Sequence, residues 1–103
     1  MVKNIYCFDI DETICRTDSL DYALAVPILN RIKKINFLYD NGHTIKFYTA
    51  RGTKTNIDWT DETVMQLNNW GVKYHELSFG KPFADFYVDD KAINDKDFDW
   101  KIH

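Results

Sequence analysis

Two short acidic knots stand out among the side chains capable of chemistry. Asp9, Asp11 and Glu12 follow one hydrophobic run, and Asp89 and Asp90 follow another. Thr49 ends a third such run, and Lys81 lies in the polar stretch ahead of the last one. If the knots meet in space, their carboxylates repel and raise one another's pKa until a positive charge joins them. A hard divalent cation that prefers oxygen ligands is the natural remedy, which makes Mg²⁺ the expected cofactor. Carboxylates around such a cation, a hydroxyl and backbone N–H groups for phosphate oxygens, and one lysine together form an inventory for phosphoryl transfer.

These residues need elements to bring them together. Residues 5–10 form a nearly continuous apolar run rich in β-formers, as expected of a strand buried on both faces. Residues 11–26 lack a clean period and read as a loop or flap with one turn of helix around residues 19–25. Pro27 fits the first position of a helix, in which Ile28, Ile32, Ile35 and Leu38 recur at three- and four-residue spacing before Asn41 and Gly42 end it. A second strand is expected over residues 43–49 and a polar loop over 51–56. Asp58 then caps a helix carrying Val64, Leu67 and Trp70 on one face, closed by Gly71. Residues 73–77 predict a third strand, 78–82 a loop, 83–88 a fourth strand, and 94–100 a short helix.

Strand and helix therefore alternate with short connections, the pattern of a parallel sheet covered by helices. The expected fold is a single α/β domain over residues 1–103, a doubly wound, Rossmann-like parallel sheet of about four strands with flanking helices. In such sheets ligands bind beyond the carboxyl ends of the strands, where strand order reverses. Asp9, Asp11, Thr49, Lys81, Asp89 and Asp90 all fall at or just before those ends.

Composition narrows the function classes. The chain has 103 residues, 45% of them hydrophobic, 16% aromatic and 28% charged, which suits one globular core and excludes a disordered or fibrous chain. No apolar run reaches the roughly 18 to 20 residues that span a bilayer, and the first residues lack a signal peptide's pattern, so a cytoplasmic protein without membrane contact is expected. Cys7 and Cys15 lack the spacing of a zinc or redox pair and are expected to stay reduced. A net charge of −3 leaves no basic footprint and argues against a nucleic-acid partner.

In order, Phe8-Asp9-Ile10-Asp11-Glu12-Thr13, Tyr48-Thr49-Ala50-Arg51, Gly80-Lys81-Pro82 and Val88-Asp89-Asp90 resemble the four signature motifs of the haloacid dehalogenase superfamily of phosphohydrolases. The resemblance covers most of the chain, and its specificity lies in the combination. It implies that Asp9 is a nucleophile forming an aspartyl-phosphate and that Asp11 is the acid and base. It further implies a Mg²⁺ site made of Asp9, the main-chain carbonyl of Asp11 and Asp90, with Asp89 as a brace, and phosphate contacts from Thr49, Ala50, Arg51 and Lys81. Neither gap between motifs has room for an inserted cap domain, so a capless phosphomonoesterase is expected. Residues 19–23, 48–52 and 88–94 also look like small stand-alone bacterial members associated with surface-polysaccharide biosynthesis, which implies a small sugar or polyol phosphate as substrate. A bare site makes a homo-oligomer plausible, since a neighbouring subunit can shield the reactive intermediate.

Other readings fit less well. An EF-hand starting at Asp9 would place Ile14 where glycine is needed and Leu20 where glutamate is needed. A response-regulator receiver would carry its paired acids early and a phosphoacceptor mid-chain, the reverse of the order here. A nucleic-acid end phosphatase and a noncatalytic domain of the same fold are the alternative functions. His43, His75 and His103 share no ligand spacing and are expected to be exposed or hydrogen-bonded. Arg16, Tyr22, Lys54 and Trp59 are assigned to surface or packing.

Overall fold

The structure is a computed structural model and describes residues 2–17, 21–52, 57–79, 84–88, 93 and 96–102. Its main sheet contains β1 (Ile5–Asp9), β4 (Thr44–Tyr48), β5 (Glu76–Ser78) and β6 (Phe86–Val88), in the order β5-β4-β1-β6 and parallel throughout. Helix α1 (Leu29–Asp40) connects β1 to β4, and α2 (Thr60–Asn69) connects β4 to β5. A two-stranded antiparallel ribbon, β2 (Cys15–Arg16) with β3 (Val26–Pro27), and a 3₁₀ turn at Tyr22–Leu24 occupy the segment expected as a flap. The α/β class and the Rossmann-like parallel sheet of four strands are as expected, and no cap is evident among the described residues.

Register decides which side chains share a face. Tyr6 pairs with Ile45 and Phe86, and Phe8 pairs with Phe47 and Val88. These residues lie two apart along their strands and so project from one side of the sheet. The two crossovers step the same way, and a right-handed connection puts both helices over that side. Ile32, Ile35 and Leu38 of α1 and Leu67 of α2 join Phe8, Ile45, Phe47 and Val88 in one buried cluster. The chain's last described segment adds Phe98 and Trp100, whose rings lie 5.6 and 5.8 Å from that of Phe8. The opposite side is more polar, with Lys46 and Glu76 as register partners joined by a 3.3 Å ion pair.

Several element ends differ from expectation. Pro27 does not start α1; it pairs with Cys15 in the ribbon, and the Ile28 N–H donates to the Ile14 carbonyl at 2.8 Å. The helix therefore begins two residues later, at Leu29. At its other end Gly42 has φ of 89°, the left-handed conformation that favours glycine and ends the helix as expected. Trp59 and not Asp58 takes the N-cap position of α2, yet Asp58, two residues ahead of the helix, accepts the Thr60 N–H through Oδ1 at 2.9 Å. Thr63 and Leu67 are the buried residues of α2, with Val64 half-buried. The third and fourth main strands are three residues each, shorter than predicted, and the described residues 96–100 form a turn and irregular chain rather than a helix.

Candidate active site

Strand β1 delivers the first acidic knot to the carboxyl edge of the sheet. Asp9 is its last residue, register partner of Tyr48, and its Oδ1 accepts the following N–H, that of Ile10, at 2.8 Å. The chain then turns tightly, with the Thr13 and Ile14 N–H groups both donating to the Ile10 carbonyl. Within this turn Glu12 takes φ of 64°, a left-handed conformation costly for a residue with a Cβ and one often stored near functional sites. The Glu12 N–H donates to the Cys15 carbonyl, and its carboxylate accepts the Thr17 N–H at 2.8 Å. The loop that carries Asp11 is thereby fixed from both sides.

Asp11 is met by Arg51. The Arg51 Nε donates to Asp11 Oδ2 at 3.0 Å and Nη2 to Oδ1 at 2.8 Å, a two-point fork that sets both position and plane of the carboxylate. The Arg51 side chain is fully buried, whereas that of Asp11 keeps 24% of its surface exposed. A buried guanidinium is costly unless its donors are satisfied. Here Nη1 donates to Thr63 Oγ1 at 3.2 Å and to Gln66 Oε1 at 2.6 Å, and the Tyr22 ring lies 4.7 Å from Cζ. The Gln66 amide also donates to the Tyr22 carbonyl, so α2, the flap and the loop after β4 are tied through this one arginine.

The two oxygens of Asp11 are not equivalent. Oδ1 accepts from Arg51, from the Thr17 hydroxyl at 2.8 Å and, more weakly, from Cys15 Sγ at 3.7 Å. Oδ2 receives only the Arg51 Nε among the described residues. Burial, reinforced by the neighbouring Asp11 charge, pushes the Cys15 thiol up to about 11, which keeps it protonated and unreactive at neutral pH. Thr49 is buried, and its Oγ1 accepts the Arg51 N–H at 3.1 Å. That acceptor role orients the hydroxyl hydrogen for donation elsewhere.

Asp9, Asp11, Thr49, Ala50 and Arg51 thus gather at one end of β1 and β4. Lys81, Asp89 and Asp90 lie outside the described residues, as do Lys54 and His103. Arg51, expected at the phosphate, has its guanidinium engaged by Asp11, Thr63 and Gln66. Thr17, Thr63, Gln66 and Tyr22 were missing from the sequence-derived site. Thr63 and Gln66 carry a faint signal, a polar pair three apart on the helix face that also presents Leu67. Among the described residues, no three His, Cys, Asp or Glu side chains gather in a metal-holding group. His43 and His75 accept main-chain N–H groups from Asn4 and Ile45 through Nδ1, as hydrogen-bonded structural residues. Both cysteines are buried and outside any disulfide, and no helix among the described residues is long and apolar enough to cross a membrane.

No protein-family model matches this chain, and no curated protein does. Two solved structures share the fold. The crystal structure of an MCSG target from Vibrio cholerae aligns over 92% of this chain and 85% of its own, with a TM-score of 0.73 and 27% identity. A conserved protein coded by a locus from Bacteroides thetaiotaomicron aligns over 89% of this chain and 79% of its own, with a TM-score of 0.68 and 16% identity. At 16% identity the second likeness concerns the fold alone.

Proposed function

We propose that this chain is a capless phosphomonoester hydrolase of the haloacid dehalogenase type, working through an aspartyl-phosphate on Asp9. The observation that carries this reading is the Asp11 carboxylate held in a two-point fork by buried Arg51, two residues beyond Asp9 at the carboxyl edge of a parallel sheet. An acid held this firmly next to a second carboxylate suits a reaction with one nucleophile and one proton carrier.

In the first step an Asp9 oxygen attacks phosphorus, the phosphorus–oxygen bond to the leaving group breaks, and the departing alkoxide takes a proton from Asp11 Oδ2. In the second, Asp11 removes a proton from water, whose oxygen attacks phosphorus, breaks the Asp9–phosphorus bond and releases inorganic phosphate, restoring the Asp9 carboxylate and the protonated Asp11 with which the first step began. The Ile10 amide fixes Asp9 Oδ1 and so sets the direction of its other oxygen. Thr49 donates its hydroxyl hydrogen to a phosphoryl oxygen, its acceptor side being filled by the Arg51 N–H. Arg51 acts through Asp11 as a positioning residue.

An oxygen-only donor set, the Asp9 carboxylate with the Asp11 main-chain carbonyl, fits Mg²⁺, with Asp90 and Asp89 completing it in this proposal. The Asp11 side chain is engaged by Arg51, which agrees with its carbonyl serving as the ligand. When bound, Mg²⁺ would supply neutralising charge for the carboxylate and the phosphoryl oxygens. Lys81 is assigned to the phosphoryl group by the same resemblance. The proposed substrate is a small sugar or polyol phosphate of polysaccharide biosynthesis, and the proposed location the cytoplasm.

Phosphate release from sugar, polyol, nucleotide and oligonucleotide monophosphates, with Mg²⁺ or EDTA, on wild type and Asp9→Asn, tests the proposal. Release that needs metal and vanishes in the variant is expected. Release retained by Asp9→Asn overturns the nucleophile, preference for the oligonucleotide favours an end phosphatase, and no release from any substrate favours a noncatalytic domain.

A further inference from the structure

Beside the Asp11–Arg51 pair lies a cavity of about 260 Å³, lined by Arg51, Gly52, Ile57, Asp58, Trp59, Thr60 and Phe79. This is room for a group the size of one substituted ring. Its position follows from register. Asp9 pairs with Tyr48, and the chain runs from there through Thr49 to Arg51 and Gly52 of the cavity wall, so the cavity lies at the same carboxyl edge of the sheet as the proposed nucleophile.

The cavity is built rather than incidental. Gly52 has φ of 84°, and a Cβ there would come within 2.0 Å of the Ile57 carbonyl oxygen. Only glycine lets the two ends of this loop close on each other and form the cavity wall. Trp59 approaches the same point and is held from behind by the edge of Tyr22, with ring centroids 5.1 Å apart and planes at 84°. Ile57 and Phe79 keep 53% and 45% of their surface exposed, although both line the cavity. Core packing does not account for apolar side chains left in water at this edge.

Its chemistry is mixed in a particular way. Two aromatic side chains offer flat apolar surface, and the exposed Asp58 carboxylate, anchored by the Thr60 N–H, adds acceptors and a negative charge. Such a site welcomes a ring bearing hydroxyl donors and repels a second anionic group.

We propose that this cavity receives the leaving group of the substrate, and that Trp59 and Phe79 select a neutral polyhydroxylated ring over an acyclic or anionic one. The inference rests on the phosphatase reading and specifies which residues set its specificity. Stacking on two aromatic side chains is worth about tenfold in kcat/KM.

The test compares glucose 6-phosphate, glycerol 3-phosphate and adenosine 5′-monophosphate as substrates for wild type, Trp59→Ala and Phe79→Ala, each checked for folding by thermal melting. Wild type should prefer the sugar phosphate over glycerol phosphate about tenfold or more, and either variant should collapse that ratio towards one. A ratio already near one, or one unmoved in both variants, overturns the inference while leaving the phosphatase reading intact. Preference for the nucleotide, lost on substitution, overturns the polyhydroxylated ring in favour of a base. If nothing is hydrolysed, the phosphatase reading fails, and methyl α-glucoside titrated into the protein decides for the cavity alone. A saturable shift of the Trp59 indole N–H resonance, assigned with Trp59→Phe, supports the site, and no shift into the millimolar range overturns it.

Discussion

The two ends of β1 solve opposite problems. At its amino end, side chains serve the backbone: His43 accepts the Asn4 N–H at 3.1 Å, Asp85 accepts the Ile5 N–H at 2.6 Å, and Lys3 donates to the Asn41 carbonyl. At its carboxyl end, side chains serve one another, with Asp11, Arg51, Thr63, Gln66 and Thr17 in a single network. The first arrangement satisfies main-chain groups that the sheet leaves over, and many residue types could replace each partner. The second buries a charge and holds a carboxylate in one orientation, which only a few residue types can do. Stability is spread over the first end, and the chemistry proposed for this chain is concentrated at the second.

Substitutions at the carboxyl end should therefore separate activity from stability. The largest effect is expected of Asp9→Asn, which removes the proposed nucleophile while keeping the shape. Phosphate release should fall by about 10³-fold or more, with the melting temperature nearly unchanged. Equal losses of activity and stability would erase the contrast between the two ends.

Next comes Arg51→Lys, which keeps the charge and loses the fork. Asp11 is partly exposed, so the stability cost is discounted to about 2 kcal/mol, read by denaturant unfolding. Turnover should drop by about 10²-fold through misplacement of the acid. Rescue of full turnover by lysine would reduce the fork to a plain charge pair.

At the amino end, Asp85→Ala should cost about 1 kcal/mol, since an exposed site lets water replace the lost acceptor. Turnover should stay within about twofold of wild type by the same reasoning. A large loss of activity would show that the two ends are coupled.

The smallest effects are those of pH, and they run in opposite directions at the two ends. Burial, with help from Lys3 and Lys34, holds His43 below its ordinary value, so the unfolded chain binds the proton first on acidification. Stability from this end is present above about pH 6.5 and is lost as pH falls through the lower folded value. Cys15 is raised from 9.0 to about 11, so between these values the unfolded chain loses its proton first and stability declines as pH rises. His43→Ala should flatten the acid limb of a melting-temperature profile, and Cys15→Ala the alkaline limb. An unchanged limb in either variant would assign that limb to other groups.

Residues that interact locally were legible in the sequence. The three-residue spacing of Ile32, Ile35 and Leu38 marked the buried stripe of α1, and Gly42 and Gly71 marked helix ends with φ of 89° and 71°. The acids after β1 were found because they follow an apolar run directly. Pro27 misled, since its rigid φ suits a helix start and an extended strand alike, and pairing with Cys15 decided between them. Arg51 misled for a related reason. Its neighbours in sequence make a polar loop, and nothing local announces that its guanidinium would be buried.

The sequence by itself determined the alternation of strands and helices, the carboxyl edge as the place for Asp9, Asp11 and Thr49, and the inventory of groups for phosphoryl transfer. Only the tertiary structure decided that Arg51 belongs to Asp11, forty positions away, and that Thr63, Gln66 and Tyr22 surround it. Periodicity and caps are set by forces between neighbours in the chain. Which charges meet is set by strand order and register, and these follow from burying one whole face of the sheet at once.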